Sequence, residues 1–161
     1  KPDREGGAEA AGAAVRVEGL TKDFGSHRAV DGLSFEIPTG GVTGLVGPNG
    51  SGKSTTLRML LGLIEPSAGS GWVLGHSISE PHRYISHVGA LVEGPALYPK
   101  LSGYKNLVAL ARLAQLPTTR IDEVLDIVDL TDRAGDRYDK YSLGMKQRLG
   151  IAGALLRHRR C

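Results

Sequence analysis

Residues 41–55 read Gly-Val-Thr-Gly-Leu-Val-Gly-Pro-Asn-Gly-Ser-Gly-Lys-Ser-Thr. Within them Gly47, Gly52, Lys53 and Ser54 keep the spacing of a glycine, four free positions and then Gly-Lys-Ser. The free positions hold Pro48, Asn49, Gly50 and Ser51. Small residues let consecutive backbone N–H groups turn inward around a phosphate, and a following helix adds the positive end of its dipole. In such a loop Lys53 reaches the outer phosphates, the Ser54 hydroxyl ligates Mg²⁺ and Thr55 meets an inner phosphate. A short apolar run, 42–46, precedes the loop and a helical pattern, 55–64, follows it. The expected unit is therefore strand, loop and helix, the setting the spacing needs. The stretch reads as a nucleoside triphosphate site.

The elements that must position this loop belong to a chain of 161 residues, enough for one domain with a real core. Its 23 glycines are about twice the usual share, which suits turns and close backbone-to-ligand contacts. The net charge of +3 owes much to Arg157, Arg159 and Arg160, beside His158, so it argues little for a nucleic-acid partner. The single Cys161 excludes an internal disulfide framework and fits a reducing compartment. No apolar run approaches the ~18 residues of a bilayer span, and no signal-peptide pattern opens the chain. Any work at a membrane would then need another chain for the membrane part. The sequence starts at Lys1 and stops in Arg-His-Arg-Arg-Cys inside a helical pattern, so a chain cut at both ends is expected.

Residues 1–14 are Ala/Gly-rich and are expected to be a disordered lead-in. Val15, Val17 and Leu20 start a first strand pattern; Leu33, Phe35 and Ile37 alternate with Ser34 and Glu36 as a second, ended by Pro38. Between them Phe24 is expected in a loop. After the phosphate loop, Leu57, Leu60, Leu61 and Ile64 form a helical stripe that Pro66 and Gly69 stop. Trp72-Val73-Leu74 suggests a short strand, and another apolar stretch, 87–92, ends at Glu93-Gly94-Pro95.

Beyond it the texture turns helical. Ser102 is placed to N-cap a helix carrying Leu107, Leu110, Ala111 and Ala114, which Pro117 closes off. Thr119 and Asp122 open another with Ile121, Val124, Leu125 and Val128 at i, i+3, i+4 and i+7. Tyr-Ser-Leu-Gly-Met-Lys-Gln-Arg, 141–148, leads into a last helix with Leu149, Ala152 and Leu156 on one face. The histidines at 27, 76, 82, 87 and 158 share no metal-ligand spacing, and Asp122, Glu123, Asp126 and Asp129 read as a solvated helix face.

With residues 141–148 added to the phosphate loop, the chain resembles the nucleotide-binding subunit of ATP-binding cassette (ABC) transporters from about residue 15 onward. Residues 47–55 look like the family's Walker A loop. Residues 141–148 are similar to its signature, usually Leu-Ser-Gly-Gly-Gln followed by Gln-Arg, with Leu143 in place of the first glycine. Phe24-Gly25 stands where the family places an aromatic that stacks on adenine. Glu93 aligns with a loop that normally ends in Gln; with Glu-Gly-Pro-Ala-Leu-Tyr-Pro and the altered signature it looks like the bacitracin and lantibiotic exporter or immunity branch.

The resemblance implies an α/β phosphate-loop NTPase fold: a RecA-like core with an antiparallel β part, plus the ABC helical subdomain, incomplete at the C-terminus. The expected division is a nucleotide-binding core over 15–93 and a helical subdomain with the signature helix over 94–161. It implies ATP and Mg²⁺ at Phe24 and Gly47 to Thr55 (Gly47, Pro48, Asn49, Gly50, Ser51, Gly52, Lys53, Ser54 and Thr55). Ser54 and Glu93 are the candidate metal ligands. Ser142, Leu143, Gly144 and Met145 would meet the ATP of a partner subunit, so a dimer of such subunits is expected. A membrane permease would complete the transporter, with the chain cytoplasmic and peripheral on the inner face of the membrane, and no nucleic acid is expected. The family's Walker B Asp, catalytic Glu and switch His have no counterpart in these residues, and no catalytic residue is identified. Binding of ATP without turnover, and marginal stability of the chain alone, are therefore expected. The competing readings are a soluble ABC ATPase of translation or DNA repair, and a non-functional fragment.

Overall fold

The computed structural model describes residues 12–92, 94 and 97–157. They fall into two compact units, divided in the chain between Ile85 and Ser86. The first is a four-stranded antiparallel sheet with one helix: β1 (Ala13–Phe24), β2 (His27–Pro38), α1 (Lys53–Leu60), β3 (Ala68–Val73) and β4 (His76–Ser77). The strand order is β2-β1-β3-β4. β1 and β2 are longer than the alternation of Val15, Val17 and Leu20 or of Leu33, Phe35 and Ile37 suggests, because bulges interrupt their pairing and break the period of two. Hydroxyls bridge these irregular places: Ser34 Oγ accepts from the Gly19 N–H at 2.8 Å and Thr21 Oγ1 from the Gly32 N–H at 3.0 Å. Ala13 pairs with Pro38, so ordered chain begins before residue 15 and the expected lead-in ends at least two residues early. The rest of that lead-in, 1–11, lies outside the described residues.

Two expectations fail in this unit. Residues 42–48 form no strand, and Val42 and Val46 are almost wholly exposed. A strand persists only when a neighbour takes up its N–H and C=O groups, and none of the described elements does so here. The described sheet is thus the antiparallel part of the expected fold. In α1 the buried face is Thr56, Met59 and Leu60, whereas Leu57 is exposed. The helix stops at Gly62, not at Pro66: its φ of 68° lets the Leu63 N–H reach the Arg58 carbonyl at 2.9 Å and close the last turn. Val17, Leu20, Val30, Met59, Leu60, Val73, Ile78 and Tyr84 are buried in this unit. The Tyr84 hydroxyl donates to the Leu60 carbonyl at 2.9 Å.

The second unit holds α2 (Gly103–Leu113), α3 (Ile121–Ile127) and α4 (Leu143–Leu155), with short 3₁₀ turns between them. Its core gathers Leu107, Ala111, Ile121, Val124, Leu125, Val128, Leu149, Ala152 and Leu156 with Tyr138 and Tyr141. The helical periodicity holds because these stripes face one another. α2 ends at Leu113 rather than at Pro117, since Gln115 adopts φ 54° and the Leu116 N–H bonds the Ala111 carbonyl at 2.8 Å. Asp122, Glu123, Asp126 and Asp129 are exposed, as a solvated face should be.

Candidate functional site

The phosphate loop is shaped by its glycines, most strictly by Gly52. Gly52 caps α1 with φ 84° and ψ 3°, in the left-handed region. A Cβ on it would lie 2.4 Å from the Ala29 carbonyl oxygen and 2.9 Å from Val30 Cγ2, so the loop rests directly on β2. A Cβ on Gly47 would lie 2.7 Å from Ser51 Oγ, the end of a rotatable side chain, so that position is less constrained than Gly52. Between them the Ser51 N–H turns back to the Pro48 carbonyl at 3.3 Å.

The first intrahelical bond at this end is Thr56 N–H to the Gly52 carbonyl, at 2.8 Å. No side chain caps the helix. The amides of Lys53, Ser54 and Thr55 are therefore the unsatisfied donors that every helix start presents, here beside a glycine-rich loop. Lys53 folds over that loop: its Nζ donates to the Gly47 and Pro48 carbonyls, each at 2.7 Å, and to Ser51 Oγ at 3.4 Å. An ammonium held by carbonyl oxygens can exchange them for phosphate oxygens, which bind it more strongly because they are charged. Ser54 is exposed on the first turn, where a hydroxyl can join a hydrated Mg²⁺. Donors, cation and hydroxyl together fit a Mg²⁺-bound polyphosphate.

Phe24 is the last residue of β1, not a loop residue; it pairs with His27 across the two-residue turn Gly25-Ser26. Its ring is half exposed, with the Lys22 ammonium 5.2 Å from the ring centroid. Lys22 pairs with Val30, the residue against which Gly52 packs, so the hairpin end and the phosphate loop are neighbours. The hairpin end is braced by Arg28, which contacts Asp23 at 2.8 Å and Asp31 at 3.0 Å. The Arg28 hydrogen bond, with the guanidinium charge, lowers the Asp23 carboxyl below its ordinary pKa, against a smaller opposing effect of desolvation.

In the second unit Ser142 N-caps α4, its Oγ accepting from the Met145 N–H at 3.3 Å. Leu143 is exposed beside it, and Gly144 has open space around its Cα. The helix start is oriented by Arg148, whose guanidinium donates to the Val128 carbonyl at 3.1 Å, the Asp129 carbonyl at 2.9 Å and the Asp129 carboxylate at 3.1 Å. Sequence reasoning passed over Asn106, which is fully buried. Its Oδ1 accepts from the Tyr98 N–H at 2.8 Å, and its Nδ2 donates to the carbonyls of Tyr98 and Ser102, both at 3.1 Å. It pins the loop leading into α2; a polar residue on an otherwise apolar helix face is the signal that would have found it. Glu93 and His158 lie outside the described residues. Among the described residues no cluster of His, Cys, Asp or Glu could hold a metal, and no helix is long and apolar enough to cross a membrane.

A family model described as "ABC transporter" matches residues 30–161. The uncharacterized ABC transporter ATP-binding protein YhcH of Bacillus subtilis is 47% identical over 144 residues, which is 88% of this chain and 47% of that protein. The bacitracin transport ATP-binding protein BcrA of Bacillus licheniformis is 41% identical over 146 residues, 89% of this chain and 48% of that one. Among solved structures, cbiO1 from Clostridium perfringens, described as part of the ABC transporter complex cbiONQ, superposes with a TM-score of 0.79 at 25% identity. That match covers 91% of this chain and 62% of the other. The chain spans about half the length of the curated relatives it matches.

Proposed function

This chain belongs to the ABC transporter family, with the α/β phosphate-loop ATPase fold of that family, and on this premise we propose that it is the ATP-binding part of a transport ATPase. The observation that carries the reading is the loop: Gly52 in the left-handed region at the start of α1, with Lys53 folded onto the Gly47 and Pro48 carbonyls. Gly47, Pro48, Asn49, Gly50, Ser51, Gly52, Lys53, Ser54 and Thr55 hold the phosphates of ATP, Ser54 holds Mg²⁺ and Phe24 stacks on the adenine. Mg²⁺ supplies neutralisation of phosphate charge when bound. Within the chain the amides orient the phosphates and Lys53 fixes their outer end.

Ser142, Leu143, Gly144 and Met145 face the ATP of a second nucleotide-binding subunit, so the protein dimerises on ATP. The helix N-terminus they form is a ready anion site, which supports the assignment. Closure of that dimer drives a separate membrane permease, with the ATP-binding part peripheral on the cytoplasmic face. The likeness to BcrA, a bacitracin transport protein, supports export of a peptide antibiotic, with resistance as the benefit. We propose further that these 161 residues bind ATP without turning it over.

Affinity capture of the tagged protein from its native cells tests the transport reading. Recovery of a polytopic membrane protein is expected; recovery with ribosomes or DNA alone would contradict it. Steady ATP hydrolysis by the purified chain, abolished by Lys53→Ala, would contradict binding without turnover.

A further inference from the structure

We infer that Lys22 is a positioning residue for the nucleobase, holding the Phe24 ring as a platform with one face free for the purine. The inference rests on the proposed stacking of adenine on Phe24. Phe24 is half exposed and only a two-residue turn follows it, so its own packing fixes the ring weakly. Lys22 supplies what packing does not. Its ammonium lies 5.2 Å from the ring centroid and donates to the Glu65 carbonyl at 2.7 Å.

A cation over one face is attracted by the ring quadrupole and occupies that face. The opposite face is left for a flat ligand, and a ring whose electron density is drawn toward a cation stacks better on an electron-rich purine.

The anchor is itself fixed. The Ser67 N–H donates to the Thr21 carbonyl at 2.8 Å, and Ser67 Oγ accepts from the Asp23 N–H at 3.0 Å. Residues 65–67 therefore run against 21–23, and the Glu65 carbonyl stays in register with Lys22. These residues follow α1, whose first residue is Lys53. One short strip of chain thus ties the helix that meets the phosphates to the ring that meets the base.

Competition against a fluorescent ATP analogue, with Mg-ATP and Mg-tripolyphosphate as the two probes, tests this. Lys22→Met should weaken ATP binding about three-fold, the effect of an exposed cation–π contact, and leave tripolyphosphate binding unchanged. Lys22→Arg, which keeps a cation over the ring, should bind ATP as the parent does. Phe24→Ala should weaken ATP at least as much, and adding Lys22→Met to it should change nothing further. Normal ATP binding by Lys22→Met alongside a weakened Phe24→Ala would overturn the inference alone. Equal weakening toward both probes would also overturn it, since Lys22 would then act through α1. Unchanged ATP binding by Phe24→Ala would overturn the stacking itself, and the inference with it.

Discussion

Gly52 sits at φ 84° with the Ala29 carbonyl oxygen 2.4 Å from where a Cβ would stand, so backbone strain and a steric clash coincide at one atom. Gly52→Ala should lose about 1–3 kcal/mol of stability in urea titration, the usual cost of a strained backbone, and lose ATP binding as well. Full retention of both would mean the loop does not rest on β2 as described. At the hairpin end, the Arg28 contact stabilises the ionised form of Asp23. That contribution is present above the unfolded carboxylate value of about 3.9 and is lost as pH falls through the lower folded value. The melting temperatures of the parent and Asp23→Asn should differ slightly at pH 7, because the pair is exposed and screened, and converge in acid below both values. A gap that widens in acid would contradict the assignment.

Among the elements, α4 depends on its N-cap, Ser142. Ser142→Ala removes the hydroxyl that accepts from the Met145 N–H and should cost about 1 kcal/mol, whereas Ser142→Gly should cost only a few tenths. Equal losses for both in a denaturant titration would mean the cap contributes nothing. The cap read from the sequence is that of α2, where Ser102 Oγ accepts from the Lys105 N–H at 3.2 Å, and the core stripes of α2, α3 and α4 were legible too, because helix periodicity and capping are local. The phosphate loop was legible for the same reason: its shape follows from glycines and one lysine within a few residues. Features set by distant chain were not. Whether residues 42–46 become a strand depends on a neighbour that no local pattern encodes. The bulges of β1 and β2 hide the true strand lengths, and Gly62 ended α1 before a stripe drawn through Leu57 and Ile64 could pack. Asn106 escaped because a polar residue reads as surface until the carbonyls around it are known.

For the molecule as a whole, the exposed apolar side chains of 42–46 set how it behaves in solution. Val42, Leu45 and Val46 are exposed, and such a run with high β propensity invites pairing with another chain. Replacing Val42 and Val46 together by Thr should slow the growth of light scattering at 37 °C (~310 K) without lowering the melting temperature, since neither side chain is packed. A drop of several degrees would show that they are. The proposed role nevertheless turns on the loop that follows, and equilibrium titration of Mg-ATP against the chain and against Lys53→Ala tests it most directly. Saturable binding by the parent, weakened at least ten-fold (about 1.4 kcal/mol) by Lys53→Ala with the melting temperature unchanged, is the predicted result. Absence of binding by the parent, or equal binding by the variant, would contradict the assignment of this loop to ATP.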